Sequence, residues 1–257
     1  MWPESRTLAL LVASTLLSAG AARSQDVKVL ISGGFTAAYR GVIPEFERAT
    51  GHKVATAFGA SMGNAPDSIP VRLQRGEPAD VLILAGSALD GLIAEGKARA
   101  GSRVDLARSS IGIAVRSGAP RPDIRSVEAL TRTLLHARSI AYSASASGVY
   151  VSTELFQRLG IADQVKGKSR RIESERIAAV VARGDAEIGF QQISELLGVP
   201  GADYVGPLPP AVQRVTVFSA GIGTGARDPA VARALITFLA SPAAAAAVAK
   251  SGLEPVH

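Results

Sequence analysis

Three short clusters of small, hydroxyl-bearing residues carry most of the chemistry this chain can offer a ligand. They are Ser32-Gly33-Gly34, Ser61 within Gly59-Ala60-Ser61-Met62-Gly63, and the run Ser143 to Gly148. Glycine lets a backbone come close to a ligand, and the first N–H groups of a helix lack intrahelical partners and favour an anion. One serine at a helix start is explained by capping. Three at alternate positions, Ser143, Ser145 and Ser147, exceed that need and point to donors for a negatively charged group.

Such turns must be held at the ends of strands. Val27 to Ile31 is apolar and β-branched, breaks at Ser32-Gly33-Gly34, and gives way to helical spacing at Tyr39, Val42, Ile43 and Phe46. Gly51 supplies the helix end, and Pro44 predicts a kink or break. Strands are expected over 52–58 and 80–85, with a short helix over 69–75 and another capped by Ser87. This βαβαβα order predicts a parallel sheet, with the glycine and serine turns at the C-terminal ends of its strands, where ligands bind in open α/β sheets.

A strand over 109–116 leads to the break Ser117-Gly118-Ala119-Pro120, after which a second alternation begins. It comprises a helix from Ser126, a strand over 139–143, helices over 148–159 and 174–183, and a strand over 187–191. In this third turn Ser147 is placed as the helix cap. Another extended segment over 213–221 precedes helices opened by Asp228-Pro229 and Ser241-Pro242. Two α/β alternations linked by two extended segments predict an α/β, two-lobed fold with a ligand cleft between lobes joined by a double hinge. The boundaries are 25–108 for the first lobe, 109–218 for the second, and 219–257 for a return to the first.

Composition narrows the class. Arg6, the apolar run Leu8 to Leu17 and the small residues ending in Ala22-Arg23-Ser24 have the three parts of a secretory signal, so residues 1–24 are read as a cleaved signal peptide. The product is expected to be periplasmic and soluble. The chain has no cysteine, which excludes disulfides, a thiolate nucleophile and Cys-ligated zinc. His52, His136 and His257 are isolated, so neither a metal site nor a Ser-His-Asp triad is expected. No phosphate loop and no Gly-x-Ser-x-Gly elbow occurs, and no cofactor is expected. The net charge of +6 is spread along the chain, and with 5% aromatic residues there is little to stack on bases, so nucleic acid is not an expected partner. A mildly positive field suits a small anion.

Five segments carry a resemblance: SGGFTAAYRGVIPEFERATGHKV, FGASMG, RLQRGEPADVLILAG, SASGVYVSTELFQRLG and ARGDAEIGFQQISEL. In order, across nearly all of the chain after residue 24, they resemble the periplasmic molybdate-binding protein family of ABC transporter receptors. The resemblance implies a type II two-lobed fold, an oxyanion held by hydroxyl and N–H donors, and an ABC permease as partner; with its lobes joined by the two extended connections, the chain is expected to be a monomer. By position it places ligand contacts at Gly34, Ser61, Ser147, about Ser174, and Gln192.

Two departures bear on the ligand. Gly34 stands where the family has a ligating serine, and Gln192 where it has a ligating tyrosine. An added stretch from Gly63 to Pro70 brings in Arg72, whose guanidinium can grip a planar carboxylate with two hydrogen bonds. Gln191 and Gln192 alternate along a strand, so one of them faces the cleft. The candidate set is therefore Ser32, Gly33, Gly34 and Phe35 at the first turn, Ser61 and Met62 at the second, and Ser145, Ser147, Gly148 and Val149 at the third. Ser174, Gln191, Gln192 and Arg72 complete it.

FGASMG, SIPVRL and GFQQISEL are similar to an aconitate isomerase-like subgroup of these proteins, which implies double-bond migration in a tricarboxylate as the alternative to plain binding. That chemistry needs a base and donors for enolate-like charge. Glu173, Glu175, Asp67 and Tyr142 are the candidates for a base.

Overall fold

The computed structural model describes residues 26–256, so the signal-peptide reading of residues 1–24 lies outside the described residues. Two sheets organise the chain. In the first, β1 (Val27–Ile31), β2 (Val54–Phe58) and β3 (Val81–Ala85) run parallel. The register Ile31↔Phe58 and Ile31↔Ile83 brings their C-terminal ends to one edge. Ser32, the loop after Phe58 and the residues after Ala85 are therefore neighbours.

α1 (Gly33–Thr50) packs Phe35, Ala38, Tyr39, Val42 and Phe46 against this sheet, the spacing that gives a helix one apolar face. Gly51 closes it with a φ of 74°. Of the kink or break expected at Pro44, the break does not occur: the helix is continuous through that residue. Pro44 is exposed, so the Arg40 carbonyl that its missing N–H leaves free can be solvated. α2 (Ile69–Gln74) and α3 (Gly86–Ala94) cover the other face of the sheet through Ile69, Leu73, Leu89 and Leu92. Ser87 lies inside α3 rather than at its cap, which is Ala85.

The chain leaves the first sheet at the end of β4 (Val104–Ser109) and enters the second at β5 (Ile111–Arg116), with only Ser110 between them. After α4 (Val127–His136), the second sheet adds β6 (Ile140–Ser143), β7 (Ser169–Ile172), β8 (Ile188–Gln192) and β9 (Ala202–Pro207), in the order β7-β6-β8-β5-β9. β6 is parallel to both β7 and β8. A second edge of aligned strand ends results, made by the residues after Ser143, Ile172 and Gln192.

The helix after β6 starts at Ala146, as α5 (Ala146–Tyr150), and runs through a π-helical turn into α6 (Phe156–Arg158) and then α7 (Ala162–Lys166). α8 (Ile177–Arg183) precedes β8 and α9 (Ile193–Leu196) follows it. The chain returns through β10 (Thr216–Ile222), antiparallel between β3 and β4, so the first sheet is mixed rather than parallel. The Gln213 side chain meets both the N–H and the carbonyl of Ile111, at 2.9 Å each, tying the two crossings together.

α10 (Pro229–Leu239) and α11 (Pro242–Lys250) bury Leu235, Ile236, Ala244 and Val248 against the first lobe, and β11 (Glu254–Pro255) pairs with β4. Among the described residues no single helix is long and apolar enough to cross a membrane.

Candidate active site

The two sheet edges face each other across a cleft of about 400 Å³. Among the described residues, hydrogen bonds cross it at three points. Ser61 N–H donates to Ser145 Oγ (3.3 Å), Ser174 Oγ to Asp67 Oδ1 (2.8 Å), and Ser194 Oγ to the Gly34 carbonyl (2.7 Å).

At the first turn Ser32 is buried, extended and facing the cleft, and its carbonyl accepts from the Thr36 hydroxyl at 3.1 Å. Gly33 also lines the cleft, so α1 presents its first turn there. Gly34 does not. A Cβ on it would fall well inside 3.0 Å of the Phe218 ring, which accounts for glycine where the resembled family has serine. Phe35 is fully buried in the core of the first lobe.

At the second turn Ser61 is fully buried and its Oγ accepts from Ala85 N–H at 3.0 Å. Met62 is half-buried beside it, outside the lining. Ser145, not Ser147, is the N-cap residue of α5, and it lines the cleft. Ser147 sits one residue inside the helix, buried, with its Oγ 3.2 Å from Ser143 Oγ. A Cβ on Gly148 would strike the Ser143 carbonyl, so that glycine lets the helix lie against the strand end. Val149 is 41% exposed and lies outside the lining.

Of the two glutamines, Gln191 lines the cleft. Gln192 turns the other way and donates to Thr216 Oγ1 at 2.9 Å, next to the crossing into β10. The resemblance points to Gln192; strand alternation combined with the packing of α8 and α9 puts Gln191 on the ligand side. Arg72 also lies away from the cleft lining. It pairs with Glu77 at 2.7 and 2.5 Å and donates to the Phe58 carbonyl at 3.0 Å, so its donors are already engaged.

The guanidinium groups that do line the cleft are Arg40 of α1 and Arg176, the residue before α8. Arg40 stacks over the Phe58 ring at 4.7 Å. Among the described residues neither forms an ion pair, whereas the carboxylates at the mouth do: Glu173 with Arg171 at 3.1 Å and Glu175 with Arg183. Asp67 accepts from Ser174. Once these pairings are made, the cleft presents one guanidinium from each lobe, with the Asp67 carboxylate held by the Ser174 hydroxyl beside them.

One further carboxyl group lies in the cleft, outside the set that the sequence points to: Glu195 of α9. Gly33 makes room for it, because a Cβ there would collide with Glu195 Oε1. Gln191 Nε2 donates to Glu195 Oε1 at 3.0 Å. Burial pushes the Glu195 carboxyl up to about 7, against the opposing pull of Arg176 and of the Gln191 hydrogen bond. No local signal in the sequence marks it, because Gln191 belongs to a strand and the two residues meet only through the turn from β8 into α9.

A raised carboxyl value makes stability pH-dependent in a definite direction. The folded protein holds this proton above pH 4.5, where the unfolded chain releases it, so the contribution is complete below 4.5 and is lost as pH rises through about 7. In the ligand-free protein, unfolding free energy is expected to fall between pH 4 and 8 by on the order of 3 kcal/mol more than in Glu195→Gln. Urea unfolding at both pH values measures this; parallel pH dependences would show that Glu195 titrates normally.

Comparison with known proteins agrees with this architecture. Residues 27–254 match the bacterial extracellular solute-binding protein family. Aconitate isomerase from Pseudomonas sp. is 49% identical over 259 residues, covering 100% of this chain and 98% of that protein. The molybdate-binding protein ModA of Azotobacter vinelandii is 29% identical over 238 residues, 89% of each chain. The solved structure of the Azotobacter vinelandii periplasmic molybdate-binding protein superposes with a TM-score of 0.70 at 23% identity, covering 89% of this chain and 98% of that one. With two lobes, a cleft between aligned strand ends and a family match over almost every described residue, the chain belongs to the bacterial extracellular solute-binding proteins.

Proposed function

We propose that this protein is a periplasmic isomerase that interconverts cis- and trans-aconitate in the cleft between its lobes. The observation that carries the reading is the pair of guanidinium groups, Arg40 and Arg176, facing one cleft from opposite lobes. A planar tricarboxylate offers a carboxylate to each, whereas a tetrahedral oxyanion is well served by a closed ring of neutral donors. The near-complete alignment with an aconitate isomerase supports the same reading.

The reaction is a proton shift. A C–H bond of the substrate's methylene, acidified by the neighbouring carboxylate, breaks, and its electron pair becomes the new double bond. The old double bond's pair moves to the former vinylic carbon and into its carboxylate, and a proton arrives at that carbon. Nothing is oxidised or reduced. Charge grows on the substrate carboxylates in the transition state, where Arg40, Arg176 and the first N–H groups of α1 can stabilise it.

A second reading, a receptor that delivers a polycarboxylate to an ABC permease, is favoured by the likeness to the molybdate-binding protein. Proton NMR of the purified protein with trans-aconitate separates the two. Appearance of the cis isomer is expected; binding without conversion leaves the receptor, and molybdate binding with no response to any carboxylate defeats both polycarboxylate readings.

A further inference from the structure

Glu195 is unusual among the carboxylates of this cleft. Glu173 and Glu175 are held at the mouth by Arg171 and Arg183, and Asp67 is engaged by the Ser174 hydroxyl across the lobes. Tyr142 is half-buried edge-on to Phe156, 6.2 Å between ring centroids, and does not line the cleft. The groups that could carry a proton on the evidence of sequence are thus committed elsewhere. Glu195 differs in having neither an arginine nor a hydroxyl bonded to it among the described residues; it is half-buried, and its Oε1 abuts the first turn of α1 at Gly33, where a Cβ would force it to shift.

Its orientation is also set. Ile177 N–H donates to Gln191 Oε1 at 2.9 Å. An N–H must meet an oxygen, so the Gln191 amide cannot be flipped, and its NH₂ is turned onto Glu195 Oε1. Oε1 therefore accepts this hydrogen bond, and Oε2 is the oxygen left to exchange a proton.

We propose that Glu195 is the catalytic acid–base group of this cleft and that Gln191 is the residue that positions it. The proposal rests on the isomerase reading. Glu195 takes the methylene proton on Oε2 as the double bond shifts, and then gives a proton to the former vinylic carbon, so the group ends each turnover as it began. No co-reactant is needed. The groups facing it are Gln191 from β8, Arg176 ahead of α8, and the start of α1 with Arg40 a further two turns along. Burial places its titration near neutrality, where an acid and its base are both present in quantity. A half-buried carboxyl turned into the cleft is a poor feature for a receptor of anions, since in its charged form it repels them. As a proton carrier it has a use.

The test compares wild type with Glu195→Gln and Gln191→Met. Glu195→Gln keeps size and shape, and it is expected to bind trans-aconitate within threefold of wild type by calorimetry. Its turnover should fall about 10³-fold, within the range for loss of a general base, and solvent deuterium should no longer enter the substrate methylene. Gln191→Met removes the hydrogen bond that favours the charged carboxylate, so the acidic limb of the kcat–pH profile should move upward by about one pH unit. Turnover of Glu195→Gln within threefold of wild type overturns the assignment while leaving the isomerase reading intact. Failure of wild type to convert aconitate overturns the isomerase reading and this role with it. An unmoved pH profile in Gln191→Met removes the positioning role.

Discussion

Changing Arg40 and Arg176 together to glutamine is expected to weaken trans-aconitate binding by 10²- to 10⁴-fold, with each single change accounting for about the square root of that. A hydrogen bond to a charged group contributes about 1.5 to 3 kcal/mol, and the two side chains belong to different lobes and share no partner, so their effects should add. Both are exposed and neither is part of a core, so the melting temperature without ligand should change little. Calorimetry on the three variants measures the effect, and weaker binding should be accompanied by a smaller dependence on salt. Wild-type affinity in the double variant would remove the guanidinium pair from the site and, with it, the main argument for a polycarboxylate.

The second large effect concerns the scaffold. Gly148→Ala should destabilise the protein by about 3 kcal/mol or more, because a Cβ there meets the Ser143 carbonyl far inside 3.0 Å, and that atom is backbone rather than the tip of a movable side chain. Relief requires the α5 segment to move off the end of β6, which displaces Ser145 from the cleft. Stability and affinity should therefore fall together. Gly91→Ala in the middle of α3, where an added Cβ meets nothing within 4 Å, is the contrasting change and should stabilise by about 0.5 to 1 kcal/mol. Equal stabilities of the two variants in urea would show that the β6–α5 junction can yield.

Much of this architecture was legible in the residues. A short β-branched apolar run broken by Ser32-Gly33-Gly34, and helical spacing at Tyr39, Val42 and Phe46, specify strand, turn and helix, because a parallel strand is covered on both faces and a surface helix on one. The glycine and serine turns end parallel strands in both lobes for the same reason. Pro44 shows a limit of local rules: its effect on a helix depends on whether the carbonyl that it frees can reach water, and exposure is a property of the fold.

The site shows the limit more sharply. Alternation says that Gln191 and Gln192 face opposite ways, but only the packing of α8 and α9 around β8 decides which faces the ligand. Capping preference marks a serine near residue 147, while the clash of Gly148 with the strand end and the start of α5 at Ala146 make Ser145 the cleft residue. Arg72 looks available in sequence and is spent on Glu77; Arg40 and Arg176 look like solvated surface and face each other's lobe across a cleft. Glu195 is a mid-segment glutamate until α1, 160 residues earlier in the case of its Gly34 contact with Ser194, closes over it. Periodicity and capping are sums over near neighbours in the chain, so sequence determines them. Desolvation and charge pairing are sums over neighbours in space, and for this protein those neighbours come together only when two lobes meet.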